Sequence, residues 1–319
     1  MNAQRNLPLK RAAKMMSLAV LVLLSFLFTG TLTHANNIYV SNWGSNPGFG
    51  YIEDLESSGN GSVFSSIPEV PTGLAFDSSA NLYVTGDFAG GAKIEKFNSN
   101  GQATVFATSG LYAPKGLAFD GAGNLYVANT GPIVGDGVPR GTIVKFGTNG
   151  FGSVFASSLD LPDGLAFDSS GNLYLSCGGT NGTIVKFGGN GIGSVFASGL
   201  SRPNGLAFDS SGNLYVGCGD ANTIEKFDAN GNGSVFASSV LADPVGLAFD
   251  GDGNLYVANF QGNTISKFDV SGNGSVFSNS GLNAPTFIAL QIPEPAGWTL
   301  VMIGVIALTG RRLVRRPLS

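Results

Sequence analysis

The sequence predicts an all-β chain, a six-bladed β-propeller of four-stranded antiparallel blades closed by pairing of the C-terminal strand with the N-terminal strands. Three observations predict it: a phrase that recurs at near-constant intervals, a fixed order of strand-like runs within each recurrence, and two half-repeats at the ends that complete one another.

The phrase Gly-Leu-Ala-Phe-Asp begins at Gly73, Gly116, Gly164, Gly205 and Gly246, at spacings of 43, 48, 41 and 41 residues. Periods near 40 that contain several short strands are those of propeller blades. Each repeat then runs through a turn such as SSGN, NLYV, a variable link, TIVKF or a relative, an Asn-Gly-rich turn and SVFAS. Four such runs separated by turn residues make one antiparallel blade, with strands A to D from the axis outward. Asn37-Ile38-Tyr39-Val40 is a B strand without an A, and Pro285 to Leu290 is an A strand without a B. Joined, they finish a sixth blade and remove the edge an open ring would expose.

Composition agrees with this architecture. Only 12% of residues are charged, while 48 are Gly and 23 are Phe, which suits short strands packed on aromatics and joined by tight turns. The net charge of −4 conceals an uneven distribution, since four cations lie in the first 14 residues and four among the last nine. Between Asn36 and Pro293 there are 9 Lys and Arg against 20 Asp and Glu, so the body carries −11. A body that acidic lacks the basic stripe a phosphate backbone requires, which excludes nucleic acid as a partner.

The ends read as addresses, so the chain divides into residues 1–35, 36–291 and 292–319. Arg5, Lys10, Arg11 and Lys14 precede an apolar run from Met15 to Phe28, and Thr33-His34-Ala35 offers a small-residue cleavage point. That is the layout of a secretory signal peptide, which requires the export machinery. The other end has Pro293-Glu294-Pro295, an apolar stretch from Ala296 to Gly310, then Arg311, Arg312, Arg315 and Arg316. The stretch is shorter than the roughly 20 residues of a comfortable transmembrane helix, and its arginines favour a cytoplasmic tail. This segment resembles the PEP-CTERM sorting signal. The resemblance implies processing by an exosortase, a membrane transpeptidase-like enzyme of bacteria that make extracellular polysaccharide; a permanent C-terminal anchor is the other reading. Both place the body outside the cytoplasmic membrane, at the cell surface or beyond it.

The repeat, written P-x-GLAFD-x-x-GNLYV, resembles that of NHL-type and gluconolactonase-like propellers along residues 36–291. WD-repeat membership is disfavoured, because Trp43 and Trp298 are the only tryptophans. Strand direction puts the D-to-A and B-to-C links on one face and the near-identical Gly-rich turns on the other. Variety collects on the first face, where function is usually carried.

At its P-x-G corners the variable residue is Thr72, Lys115, Asp163, Asn204, Val245 and Thr286. The gluconolactonase resemblance implies a divalent metal held there by Glu, Asn and Asp. Asp163 and Asn204 match two of those types and offer oxygen ligands suited to Ca2+. No Glu occupies a corner, the Asn-then-Asp order is reversed, and Lys115 opposes a cation, so polar turn residues without a ligand are the alternative. The only histidine is His34, inside the signal segment, which removes Ser-His-Asp and Cys-His catalysis and departs from streptogramin-lyase-like propellers, whose chemistry relies on His. Asp250-Gly-Asp252-Gly-Asn254 occupies an SSGN position and reads as a turn.

Just after strand B the repeats carry Asn42, Gly86, Asn129, Cys177, Cys218 and Asn259. The two cysteines stand at equivalent places of adjacent blades and predict either a disulfide or two partly buried thiols. Trp43, Phe88 and Phe260 follow strand B in three blades, and residues 130–141 form a longer link. With Lys115, Asn129, Asp163 and Asn204, these aromatics outline a channel mouth fit for sugar rings or an extended peptide, unless they only cover their own blades. The expected function is therefore a surface or matrix module that binds extracellular polysaccharide or another surface protein. A metal-dependent lactonase-like hydrolase using Asp163 and Asn204 is the alternative.

Overall fold

The computed structural model describes residues 37–291 except 47, 48, 68, 89, 90, 132–140 and 180. The signal segment and the sorting segment, with Pro293, Glu294, Pro295 and the four arginines, lie outside the described residues, as does most of the long link. Among the described residues no helix is long and apolar enough to cross a membrane.

Turn residues cut the chain into twenty-four strands, β1 to β24 in chain order. The inner strands are β4 (Glu69–Phe76), β8 (Pro114–Phe119), β12 (Pro162–Phe167), β16 (Pro203–Phe208), β20 (Pro244–Phe249) and β24 (Pro285–Gln291). Next outward come β1 (Asn37–Asn46), β5 (Leu82–Phe88), β9 (Leu125–Asn129), β13 (Leu173–Cys177), β17 (Leu214–Cys218) and β21 (Leu255–Asn259). The outer strands include β3 (Gly61–Ile67), β11 (Gly152–Leu159) and β15 (Gly193–Leu200). Six four-stranded antiparallel sheets result: the first blade is ordered β24, β1, then the strands Phe49–Leu55 and Gly61–Ile67, and the second to sixth blades each take four consecutive strands along the chain. Closure is as the half-repeats predict: Ile38 pairs with Leu290, Tyr39 with Ala289 and Val40 with Ile288. The inner strands touch in a closed ring around the axis.

Two features of the repeat hold the blades together. Each second-strand Tyr sits edge-on to a Phe of its own outer strand, and all but Tyr256 also to the Phe ending the next inner strand; Tyr174 meets Phe196 at 5.1 Å and Phe208 at 5.0 Å between ring centroids. Such pairs contribute about 0.5–1.5 kcal/mol each beyond their burial. The Gly of GLAFD lets adjacent inner strands approach, since a Cβ on Gly164 would lie 2.4 Å from the Asn204 carbonyl oxygen. Gly73, Gly116, Gly205 and Gly246 face the next inner strand in the same way, whereas the closing strand has Phe287 there.

The SSGN turns are clamped by their leading Asp. Asp250 accepts the backbone N–H groups of Asp252 and Asn254 on Oδ1, at 3.0 and 2.8 Å, and the Asn254 amide on Oδ2 at 2.8 Å. The calcium-loop look of this segment is thus a turn whose carboxylate is already engaged.

The disulfide expected as one reading of Cys177 and Cys218 is corrected: both are free and buried. Cys177 packs with Tyr126, Ala128 and Ile143 of the preceding blade, and Cys218 packs with Tyr174 and Ile184 of its own preceding blade. Equivalent residues of successive blades point the same way round the ring, so the sheet of the fourth blade stands between the two sulfurs. Burial pushes both thiols up to about 11, which makes the nucleophilic thiolate scarce. We expect neither to alkylate in the native protein at neutral pH, and both to titrate after denaturation without reductant; finding none after denaturation would restore the bridge.

Candidate functional site

Six local irregularities aim side chains at the axis. Between the P-x-G corner and the following Leu each inner strand holds one residue more than its partner, as where Pro162 pairs with Cys177 but Leu165 with Leu175. The same shift occurs at Pro71, Pro114, Pro203, Pro244 and in the closing pair β1–β24. Bulges of this kind re-aim side chains at sheet ends. The residue before the proline also takes a left-handed backbone in five blades, with φ of 43° at Ala113, 46° at Leu161, 50° at Arg202, 56° at Asp243 and 46° at Ala284. A non-glycine residue held so stores strain, which the surrounding ring over-determines.

The result is a cavity of about 260 Å³ at the channel mouth, lined by Trp43, Thr72, Lys115, Asp163, Arg202, Asn204, Asp243, Val245, Phe260, Thr286 and Phe287. Five of the residues expected to form the mouth, Trp43, Lys115, Asp163, Asn204 and Phe260, meet there. Asn129 does not line it and needs another account. It is a strut, whose amide donates to Gly110 O at 3.0 Å and to Thr142 Oγ1 at 3.3 Å while its Oδ1 accepts the Tyr112 N–H at 3.2 Å. Phe88 closes β5 by backbone pairing with Gly91, and its side chain lies outside the described residues.

One wall is aromatic. Trp43 and Phe260 meet edge-on at 5.1 Å, anchored by backbone hydrogen bonds from Trp43 N to Asn283 O at 3.1 Å and from Phe260 N to Asp243 O at 2.9 Å. Trp43 remains 38% exposed, so its ring can still take a ligand face.

The rest of the lining is polar and only partly satisfied. Thr72 donates to Pro114 O at 2.6 Å, Asn204 donates to Pro244 O at 3.0 Å, and Thr286 pairs with Ser41 at 2.7 Å, so these groups stitch neighbouring strands. Arg202 binds Asp220 Oδ1 at 2.6 Å and Asp243 Oδ1 at 2.5 Å, and Asp243 Oδ2 accepts the Gln261 amide at 3.3 Å. Asp163 differs, because its Oδ1 is shielded from solvent and has no hydrogen-bond partner. Burial raises the pKa of this carboxyl, against the pull of Lys115 and Arg202.

Arg202 and Asp243 are functional candidates that sequence reading passed over. They precede the P-x-G corner by one residue on adjacent blades, where other repeats carry Ala113, Leu161 and Ala284, and that contrast was the available signal.

A divalent metal does not fit this donor set. Lys115 and Arg202 place positive charge beside Asp163, and no cluster of three His, Cys, Asp or Glu occurs among the described residues. The expected Ca2+ pair of Asp163 and Asn204 therefore lacks both a third ligand and the right field.

No protein-family model and no curated protein matches the chain. Among solved structures it is similar to virginiamycin B lyase from Staphylococcus aureus, at 18% identity and a TM-score of 0.52 over 68% of this chain and 73% of that one. A streptogramin B lyase matches at 19% identity and a TM-score of 0.52 over 78% and 75% of the two chains. A gluconolactonase from Xanthomonas campestris matches at 18% and 0.55, over 71% and 84%. At these identities the likeness is one of fold alone, the six-bladed propeller.

Proposed function

We propose that this protein is an exported surface or matrix propeller whose channel mouth binds a neutral polyhydroxylated ligand, a sugar unit of an extracellular polysaccharide. The observation that carries the reading is that the half-buried Asp163 carboxylate and Lys115 line one cavity with the exposed ring of Trp43. Lys115 supplies a donor beside the carboxylate, and Trp43 offers an apolar face to a ring's C–H groups. The surface location rests on the terminal segments read from the sequence, including processing by an exosortase-like enzyme. The lactonase-like alternative draws no support from a donor set unsuited to a metal, and lyase-like chemistry would need a histidine that the body lacks.

A glycan array followed by calorimetry on the purified protein tests the reading. Replacing Asp163 by Ala should weaken binding by about 10- to 100-fold, the worth of a hydrogen bond to a charged group. The same change should leave the melting temperature unchanged or raised, since it removes a half-buried carboxylate with an unpartnered oxygen. Replacing Trp43 by Ala should weaken binding about tenfold. Glycan binding that survives both substitutions, or no glycan binding at all, would place the function elsewhere and leave a surface protein as the partner to seek.

A further inference from the structure

The outer rim is not uniform. Each third-to-outer turn leans on the preceding blade: Gly150 sits against the Phe106 carbonyl and Gly191 against the Phe155 carbonyl. That packing sets Val105, Phe151, Val154, Ile192 and Val195 one after another along blades two to four, all largely exposed; the matching Val63, Val235 and Val276 of the other blades are exposed too, so Phe151 and Ile192 are what sets blades three and four apart. Phe151 is 78% exposed and Ile192 72%. Four blades carry Asn60, Gln102, Asn232 and Asn273 at that turn position. Asn232 and Asn273 donate to Asp228 and Asp269 at 2.8 and 2.9 Å, closing a polar turn. Blades three and four have lost both partners, with Gly147 and Gly188 in place of the acid and an exposed Phe or Ile in place of the amide.

Charge follows the same division. Residues 147–159 and 188–200 contain no charged side chain, whereas the matching turns of blades one, five and six carry Glu56, Asp228 and Asp269. We infer that the rim of blades three and four is a self-association surface that takes a second copy of this chain. Two bodies of −11 repel over most of their surface, and this neutral apolar strip is where copies approach without that penalty. A partner chosen by charge would be drawn to the acidic faces instead. The contact is isologous, strip on strip, as in a two-fold dimer.

It works through side chains and not by adding strand to strand. β11 and β15 each have two register shifts against their neighbour, at Gly141/Thr142 and Ile143/Val144 and at Gly182/Thr183 and Ile184/Val185. Such bulges twist an edge away from pairing. A strip of five apolar side chains suits a weak, reversible dimer. If the channel mouths bind sugar units, a dimer would present two to one polymer and gain avidity; that consequence rests on the proposed function, while the self-association does not.

The test is sedimentation velocity of the full chain in mild detergent over a wide concentration range, comparing wild type with the double variant Phe151→Asn and Ile192→Asn. Asn stands at this turn position in three other blades, so the variant reuses the protein's own turn chemistry, and an unchanged melting curve verifies its fold. Association through the terminal segments is common to both proteins. The expected result is a concentration-dependent dimer whose dissociation constant rises roughly 100-fold in the variant, about tenfold per anchor. Val154→Lys should weaken it as well, by placing a charge in the strip. A wild type that stays monomeric throughout, or equal association of all three proteins, overturns the inference.

Discussion

Deletion of residues 285–291 is expected to abolish cooperative folding. These residues form β24, which follows the last blade in the chain but pairs as the inner strand of the blade begun by β1, and so closes the ring. Their loss removes the pairing of Ile38 with Leu290 and of Val40 with Ile288, and exposes the inner edge of β1. It also strips Ile288 from the cluster of Ile38, Val40 and Tyr256, and removes the strand against which Gly246 packs. Several buried apolar side chains and a row of backbone hydrogen bonds are lost together, a sum of about 5 kcal/mol or more, comparable with the whole stability of an ordinary domain. Thermal melting followed by circular dichroism, with dye binding to report exposed apolar surface, should show a broad, low transition or aggregation. A melting temperature within a few degrees of wild type would mean the ring does not depend on this closure.

The second large effect is expected from Gly164→Val. The added Cβ would sit 2.4 Å from the Asn204 carbonyl oxygen and 2.9 Å from Gly205 Cα, both backbone atoms of the adjacent inner strand. Neither can turn aside as a side-chain tip could, so the fourth and fifth blades must separate. Overpacking of this severity costs about 3 kcal/mol or more, which in a domain of this size lowers the melting temperature by roughly 6–12 °C. Gly189→Val is the internal control, because a Cβ there meets nothing within 4 Å. Its melting temperature should stay within a few degrees of wild type. Equal behaviour of the two variants would show that the inner glycines are not set by close approach.

Most of the fold is legible because each repeat states its own strands and turns, and because two incomplete repeats can only be completed by one another. The position of each P-x-G residue at the channel is legible for the same reason, which is how Lys115, Asp163 and Asn204 were found. The use to which Asn129 is put was not legible. An Asn after a strand looks the same whether its amide faces a ligand or ties down Gly110, and only the packed link shows the latter.

Sequence alone determined blade number, closure, the acidic character of the body and the absence of histidine from it, since these follow from period, composition and order along the chain. Tertiary structure decided what depends on the direction of side chains between repeats. Equivalent cysteines turned out to face the same way round the ring and not each other, because rotation about the axis repeats an orientation instead of opposing it. The pairing of Arg202 with Asp243 needed the left-handed backbone before each proline, which sequence does not announce for these residue types. The unpartnered oxygen of Asp163 likewise emerged only once Asn204 and Thr72 were seen to spend their hydrogen bonds on neighbouring strands, leaving that carboxylate as the buried acceptor at the mouth without a partner in the protein.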